Sequence, residues 1–424
     1  MHDSAAKGYF SLVRQNSNFR NLWFGQIISL LGDWFNLIAS ASLIALLTKS
    51  GLAVGGLFVV RMLAPFLVSP IAGVVVDRYN RKHLLIAADI IRGVTVFGFL
   101  LVRTPGQIWL LYTLTAIQLG LSGFFFPGRN AILANIVARG ELGAANALSS
   151  ATWSTMLALG AALGGFAAGR WGIYPSFIID GLTFFLSAIF ISLVRYQPPA
   201  APSAHSTRAV DALREYLDGL RYLKSKPDIL VVTLLKASMA LSITGAFQVV
   251  QVAIAERVFV IGEGGAISLG IMYAVIGIGT GLGPIFARKL TADRPKDLRI
   301  AVVWSYLVAA LGMVITAPLF NFPLALFGML LRGVGAGVNW VFSTQLLYQL
   351  VGDRVRGRVF SVEFALMTLM NAAGATIGGW GVDMPTLGMG DLMWGMGGLT
   401  LVMGIAWMLW LVFRPAVAPQ EIPA

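Results

Sequence analysis

Long apolar segments alternate with short polar ones along the whole chain. Twelve of these segments hold 18 or more mostly apolar residues, which is enough for an α-helix to cross about 30 Å of hydrocarbon. We number the predicted helices 1 to 12 in chain order. They cover residues 21–47, 52–76, 84–102, 108–126, 146–168, 173–194, 229–255, 267–286, 300–317, 323–351, 360–382 and 392–413. The pattern therefore predicts an all-α polytopic membrane protein with twelve transmembrane helices.

The two halves of the chain are related by an internal repeat. A shift of 214 residues places Gly160 on Gly374 and the pair Gly164-Gly165 on Gly378-Gly379. The same shift superposes predicted helix 5 on predicted helix 11, so we expect two pseudo-symmetric six-helix bundles. The predicted organisation is a cytoplasmic N-terminal segment (1–20), an N-terminal bundle (21–194), a cytoplasmic linker (195–228), a C-terminal bundle (229–413) and a cytoplasmic tail (414–424).

The linker contains an amphipathic pattern between Arg208 and Lys224. Its apolar residues recur at helical spacing, with charged residues between them, and Thr207 is a candidate cap. The apolar positions are Val210, Leu213, Leu217, Leu220 and Leu223. We expect a helix that lies on the inner membrane face against the bundle. A regulatory role for this helix is the alternative interpretation.

Composition supports a membrane environment and sets the orientation. Apolar residues make up 57% of the chain and charged residues 12%, whereas a soluble protein carries about 25% charge. With the N-terminus inside the cell, the inner segments hold 23 Lys and Arg residues and the outer loops 4. Cytoplasmic loops carry the excess of Lys and Arg, so we expect both termini in the cytoplasm and the protein in the cell inner membrane.

Several function classes are excluded by what the sequence lacks. The chain has no cysteine, and its three histidines are too scattered for a metal cluster, so we expect no disulfide and no metal. There is no G-x-x-x-x-G-K-[ST] loop for ATP, and neither half is long enough outside the membrane for a catalytic domain. We expect no enzyme activity, no cofactor and no nucleic-acid partner. The expected partners are the lipid bilayer and a small molecule, with the protein as a monomer.

Ionisable residues inside membrane helices are costly, which makes each of them a functional hypothesis. Asp33 in helix 1 and Arg61 in helix 2 lie at similar depths, roughly 18 and 22 Å from the inner face at about 1.5 Å per residue. We predict that Asp33 binds a coupling proton and that Arg61 tunes the affinity of Asp33 for this proton. The alternative is a fixed structural ion pair between the two helices.

The remaining charges in the predicted helices receive different interpretations. Asp89 and Arg92 share one face of helix 3 near its inner end, which favours a structural pair. Arg332 in helix 10 either binds an anionic or carbonyl-bearing substrate or pairs with a distant acid. We assign Asp180 and Lys236 no role in the site, because both lie nearer helix ends and a lysine there can extend toward water. The candidates for a substrate cavity are Gln26, Trp34, Asn36, Gln118, Gln248, Arg332, Asn339 and Gln345.

The loop between predicted helices 2 and 3 reads GVVVDRYNRK from Gly73 to Lys82. It resembles the signature loop of the major facilitator superfamily, G-x-x-x-D-R-x-G-R-K, with Asn80 where glycine is usual. Asparagine tolerates a left-handed backbone, so we expect the turn to be kept. In that family the cluster latches the two halves on the inner side. The resemblance implies a latch formed by Gly73, Asp77, Arg78, Arg81 and Lys82, with Glu363 in helix 11 as candidate partner.

A second motif narrows the resemblance. The segment NFRNLWFGQ from Asn18 to Gln26, followed by SLLGDW from Ser29 to Trp34, resembles the opening of the macrolide-efflux and enterobactin-exporter branch. This branch implies a major facilitator fold and export of amphipathic organic molecules by alternating access, driven by proton entry. The helix 5 antiporter pattern lacks its proline. A lysophospholipid transporter or flippase, and a membrane sensor that transports nothing, are the competing interpretations.

Overall fold

The computed structural model describes residues 10–138, 141–196, 209–291 and 294–413. Twelve of the helices in these ranges are long and apolar enough to cross a membrane, as predicted. They cover Ser17–Thr48, Gly51–Arg78, Arg81–Gly98, Ile108–Ile136, Leu142–Arg170, Ile173–Ser192, Pro227–Arg257, Ala266–Thr291, Pro295–Thr316, Phe322–Leu350, Asp353–Asp383 and Met389–Phe413. The part of the chain that the structure describes contains no strand.

Several helices extend past their predicted ends on the predicted inner side. Helix 4 continues to Ile136 instead of ending near residue 126, and helix 11 begins at Asp353 instead of near residue 360. Hydropathy locates only the part of a helix that lies in hydrocarbon, whereas a helix of polar residues continues into water. Exposed apolar side chains occur on all twelve helices, as expected for surfaces that face lipid.

The linker helix runs from Ala209 to Ser225, which confirms the amphipathic prediction, while its candidate cap Thr207 lies outside the described residues. Leu223 on its apolar face is 1% exposed. At Gly219 an added Cβ would lie 2.9 Å from the carbonyl oxygen of Arg358, so this helix packs closely on the beginning of helix 11. The predicted position against the bundle is therefore the observed one.

Residue contacts divide the chain into two compact units. The first comprises 1–48, 63–210 and 260–271, and the second comprises 49–62, 211–259 and 272–424. The unit limits cut through helices 2 and 8, whereas the predicted domain limits fall between helices. Inside the second unit the start of helix 2 packs on helix 11. The predicted domain boundaries remain a prediction about folding units.

Glycine pairs bring helices together at equivalent places in the two units. In the first unit an added Cβ at Gly165 would lie 2.6 Å from Cα of Gly270, where helices 5 and 8 meet. In the second unit an added Cβ at Gly379 would lie 2.6 Å from the carbonyl oxygen of Gly51, where helices 11 and 2 meet. The 214-residue repeat therefore matches positions that make equivalent helix contacts, because small residues let backbones approach closely in lipid.

The start of helix 2 is capped by an acidic residue from helix 11. Asp383 accepts hydrogen bonds from the backbone N–H groups of Gly51 and Leu52 and from the hydroxyl of Ser50. A carboxylate at a helix N-terminus satisfies unpaired donors and interacts favourably with the helix dipole. Nearby, Lys49 forms a 2.7 Å ion pair with Glu256 of helix 7. These contacts fix the predicted outer ends of helices 2, 7 and 11.

A first testable prediction concerns the glycine contacts. Gly165→Ala and Gly379→Ala should each force two helices apart and cost about 1–3 kcal/mol of stability, since overpacking a close contact has that effect. Thermal unfolding of the purified protein in detergent measures this. The repeat supplies matched controls: Gly143→Ala and Gly357→Ala, where an added Cβ meets nothing within 4 Å. Equal loss in all four variants would contradict the packing argument.

Candidate functional site

A buried cluster of charges joins helices 1, 3 and 6 of the first unit. The Arg92 Nη2 atom lies 2.9 Å from Oδ1 and 3.2 Å from Oδ2 of Asp33. Its Nη1 atom lies 3.4 Å from Oδ1 of Asp89, whose other oxygen accepts a 2.6 Å hydrogen bond from the Ser187 hydroxyl. The guanidinium also stacks 4.0 Å from the ring centroid of Phe184. One cation is therefore shared by two carboxylates.

Exposure distinguishes the two acids of this cluster. The side chains of Arg92 and Asp89 are 2% and 0% exposed, whereas that of Asp33 is 25% exposed. With both acids ionised the cluster carries one surplus negative charge, and such a charge in a low-dielectric interior is costly. Binding one proton would bring the cluster to neutrality. Asp33 is the one of the three side chains that is not fully enclosed by protein, so it is the candidate for exchanging that proton.

The guanidinium bound to Asp33 in the structure is that of Arg92, which the sequence interpretation did not name as its partner, and the pairing of Asp33 with Arg61 stays a prediction. Arg61 belongs to the second unit, where it lies near Tyr273. The depth argument could not give the direction in which a side chain points, so it did not single out Arg92. Arg92 starts five residues closer to its helix start than Asp33, roughly 7 Å of depth at about 1.5 Å per residue, which a long side chain can span.

Close packing of helices 1 and 6 holds Asp33 in place. An added Cβ at Gly32 would collide with the side chains of Thr183 and Asp180. Asp180 is fully buried and lies 3.5 Å from the amide nitrogen of Gln118. The sequence interpretation left Asp180 out of the site, and the structure places it beside the residue that precedes Asp33. Glycine at position 32 is therefore what allows these polar groups to approach one another.

The predicted cavity residues are divided between the two units. In the first unit Asn36 is fully buried and accepts a 3.2 Å hydrogen bond from Ser40, while Trp34 packs on Gly160. In the same unit Gln26 is 8% exposed and Gln118 contacts Asp180. The cavity assignment of these residues therefore remains a prediction.

In the second unit the Gln248 amide lies 3.4 Å from Asn371, Asn339 is buried and Gln345 is half-buried. Arg332 is 4% exposed and its guanidinium stacks 4.6 Å from the ring centroid of Phe247. Within the described part of the chain no carboxylate forms an ion pair with it. Of the two roles predicted for Arg332, pairing with an acid therefore receives no support, and binding of an anionic or carbonyl-bearing substrate remains the prediction.

The signature loop differs from expectation at Asn80. Its φ of −63° and ψ of 110° are extended, and its side chain accepts hydrogen bonds from the backbone N–H groups of Lys82 and His83. Asn80 is thus the N-cap of helix 3, and the expected left-handed turn is wrong. Asparagine is well suited to this position because its side-chain oxygen satisfies otherwise free amide donors. Lys82 donates a 2.7 Å hydrogen bond to the carbonyl of Ser192.

The predicted latch is tested only in part. Arg78 is exposed and Arg81 half-buried, while the surroundings of Gly73 and Asp77 lie outside the part of the chain that the structure describes. Glu363, the candidate latch partner, is instead bound to Lys236 of helix 7, with Nζ 3.0 Å from Oε1. A buried lysine on a neighbouring helix therefore neutralises the charge of Glu363, and its role as latch partner stays a prediction.

Lys236 is the functional candidate that the sequence interpretation missed. Its side chain is 6% exposed, so it does not extend to water as predicted. With the predicted bounds Lys236 is the eighth residue of helix 7 and Glu363 the fourth of helix 11, roughly 6 Å apart in depth at about 1.5 Å per residue, whereas with the observed bounds they are the tenth and eleventh. Both helices start at the predicted inner side, so the depth argument used for Asp33 matches these two residues once the observed bounds are known.

The twelve long apolar helices in the described part of the chain define the architecture of a polytopic membrane protein. The sequence model of the Major Facilitator Superfamily matches residues 22–378. The chain belongs to this superfamily. It is accordingly a transporter and not an enzyme, and its fold is the major facilitator fold.

The chain shares between 24% and 30% sequence identity with three individual relatives. The chain is 24% identical to the "Putative bacilysin exporter BacE" of Bacillus subtilis over 363 residues, 85% of this chain and 88% of that one. It is 26% identical to "Enterobactin exporter EntS" of Escherichia coli O139:H28 over 386 residues, 88% of each. It spans about half (54%) of the "Uncharacterized MFS-type transporter YfiS" of Bacillus subtilis, at 30% identity over 234 residues, 54% of this chain.

Solved structures support the fold. The crystal structure of the nucleoside transporter NupG superposes with a TM-score of 0.70 at 14% identity, covering 94% of this chain and 100% of that chain. At this identity the likeness concerns the architecture alone.

A second prediction follows from the shared guanidinium. Arg92→Gln should leave the buried Asp89 and the partly exposed Asp33 without a cation and destabilise the protein by about 3–5 kcal/mol, as breaking buried pairs does. Adding Asp89→Asn to this variant should restore part of the loss, because one uncompensated charge is removed. Thermal unfolding in detergent is the measurement. Arg221→Gln, which breaks the exposed Asp218–Arg221 pair of the linker helix, should stay within about 1 kcal/mol. A similar loss in both single variants would refute this account.

Proposed function

We propose that the protein exports amphipathic small molecules by alternating access and that proton entry drives the export. It works in the cell inner membrane with both termini in the cytoplasm. The observation that carries the proposal is the cluster of Asp33, Arg92 and Asp89, because a membrane-buried group with one surplus negative charge is suited to bind and release a proton. The direction of transport is supported by relatives named as exporters of enterobactin and bacilysin.

The coupling mechanism follows from competition for one cation. When Asp33 is ionised, Arg92 is shared between helix 1 and helix 3. When Asp33 binds a proton, its hold on Arg92 weakens and the guanidinium is left to Asp89, which Ser187 also holds. Protonation thereby changes how strongly helix 1 is tied to helix 3. A ligand can drive a conformational change only through such a difference between states.

Alternating access also requires contacts that can part. The start of helix 2 packs on helix 11 at Gly51 and Gly379, and helix 5 packs on helix 8 at Gly165 and Gly270. In the proposed cycle these glycine contacts separate to open the outer side, together with the hydrogen bonds from helix 2 to Asp383.

A lysophospholipid transporter or flippase is the second candidate, favoured by an apolar cavity of about 460 Å³ in the second unit. It lies between helices 8, 9 and 10 and is lined by exposed side chains such as Phe286, Leu290 and Trp304, with Asp297 at its edge. An acyl chain fits this lining. Scrambling of labelled lysophospholipid in vesicles that lack a proton gradient would support this second function over the first.

The third prediction tests proton coupling. The purified protein is reconstituted in vesicles, and a pH difference is imposed in which the side facing the predicted outer loops is the more acidic. A panel of drug, macrolide and siderophore-like compounds is then supplied. Wild type should show compound-dependent proton flux. Asp33→Asn should reduce gradient-driven accumulation at least tenfold, since an amide cannot carry the proton. The variant should still exchange labelled for unlabelled compound.

Asp218→Asn is the matched control, because Asp218 forms an Asp–Arg pair with the same i, i+3 spacing as Asp89 and Arg92 but outside the membrane. It should transport like wild type. Undiminished gradient-driven accumulation by Asp33→Asn would rule out Asp33 as the coupling group. Absence of proton flux with every compound in the panel would rule out antiport for that panel.

A further inference from the structure

A cavity of about 330 Å³ lies among helices 7, 10 and 11 of the second unit. Its lining combines one ion pair with aromatic side chains, and the main contributors are Lys236, Glu363, Thr344, Trp340, Tyr348 and Phe360. A small pocket with apolar walls and a few polar anchors is the usual form of a binding site for an organic molecule. Its lining includes no described residue of the coupling cluster or of the signature loop.

The polar end of this cavity is an ammonium with several partners. Nζ of Lys236 lies 3.0 Å from Oε1 of Glu363, donates a 2.7 Å hydrogen bond to the hydroxyl of Thr344 and sits 4.7 Å from the ring centroid of Trp340. The two charged side chains are 6% and 5% exposed. Replacing such a pair with apolar residues is commonly neutral or stabilising, so stability alone does not account for it.

The charge balance of this unit indicates which sign of ligand the cavity takes. Among the charged residues that the structure describes in helices 7, 10 and 11, away from the helix ends, Lys236 and Arg332 are cationic and Glu363 is acidic. Arg332 is buried with no carboxylate partner in the described ranges. The membrane interior of this unit therefore carries a surplus of positive charge, which attracts an anion and repels a cation at low dielectric.

We propose that this cavity binds the substrate through a carboxylate, which takes the place of Glu363 beside Lys236 while Glu363 takes up a proton, so that the net charge of the site is unchanged. An aromatic or apolar body of the substrate packs against Trp340, Tyr348 and Phe360. Thr344 keeps its hydrogen bond to the ammonium and holds Lys236 in position during the exchange. Glu363 then acts as an internal competitor that occupies the site when it is empty. The inference rests on the proposed function, for which it names the substrate class as amphipathic organic anions.

The test uses three probes of one shape and different charge. They are 2-naphthoate, naphthalene-2-methanol and naphthalen-2-ylmethylammonium, and their affinities for the purified full-length protein in detergent are measured by titration calorimetry. Wild type should bind the carboxylate at least tenfold more tightly than the alcohol. Lys236→Gln should lose this preference while the alcohol affinity stays within twofold, and Glu363→Gln should bind the carboxylate three- to tenfold more tightly, because the competitor is removed.

Lys289→Gln is the matched control, since this lysine also lies beside an aromatic ring, 5.7 Å from the centroid of Phe286, but on the exposed surface. It should leave all three affinities unchanged. Equal affinities of wild type for the three probes, or tighter binding of the ammonium that Glu363→Gln abolishes, would overturn the proposal. If Lys236→Gln does not fold, the direction of change in Glu363→Gln decides the question alone.

The binding measurement is independent of transport. No gradient is imposed, so a protein that binds the carboxylate through Lys236 but fails the vesicle assay would refute proton-coupled export and keep this site. A protein that passes the vesicle assay but shows no charge preference in detergent would refute this site and keep proton-coupled export.

Discussion

The constraint that shapes this molecule is the free-energy cost of a charge in hydrocarbon. Each ionised group in the membrane interior needs an opposite charge or a proton, since a lone ion there loses its hydration with no compensation. In the first unit one guanidinium serves two carboxylates at Asp33 and Asp89. In the second, Lys236 serves Glu363. Because each partner is shared or replaceable, a proton or a ligand can change the balance.

The charge imbalance has opposite signs in the two units. The Asp33 cluster has one negative charge too many and so accepts a cation, for which the proton is the smallest candidate. The second unit has more cations than acids in its interior, and the buried Arg332 is the clearest case. A transporter that moves protons and organic anions in opposite directions needs both kinds of imbalance. This interpretation makes the different charge balance of the two units a functional feature.

A feature of this protein could be predicted from sequence when it depends on position along the chain alone. The number of helices, the internal repeat and the linker helix follow from hydropathy and periodicity, because these reflect one-dimensional properties of the chain. Depth in the membrane is also one-dimensional, and with the observed helix bounds it matches Lys236 with Glu363. The direction in which a side chain points around its helix axis is not a one-dimensional property. The partner that the structure gives Asp33 is Arg92, and the direction of the side chains selects it.

By itself the sequence determined that the chain spans a membrane twelve times, that its halves are related by a shift of 214 residues and that its interior holds a few costly charges. Only the tertiary structure decided which charges meet, because that depends on side-chain direction and on how closely helices approach. Gly32 lets helix 6 lie against helix 1 beside Asp33, and Asn80 caps helix 3 where a turn glycine is usual. These contacts join residues far apart in the chain, and their energies arise only once the helices are packed.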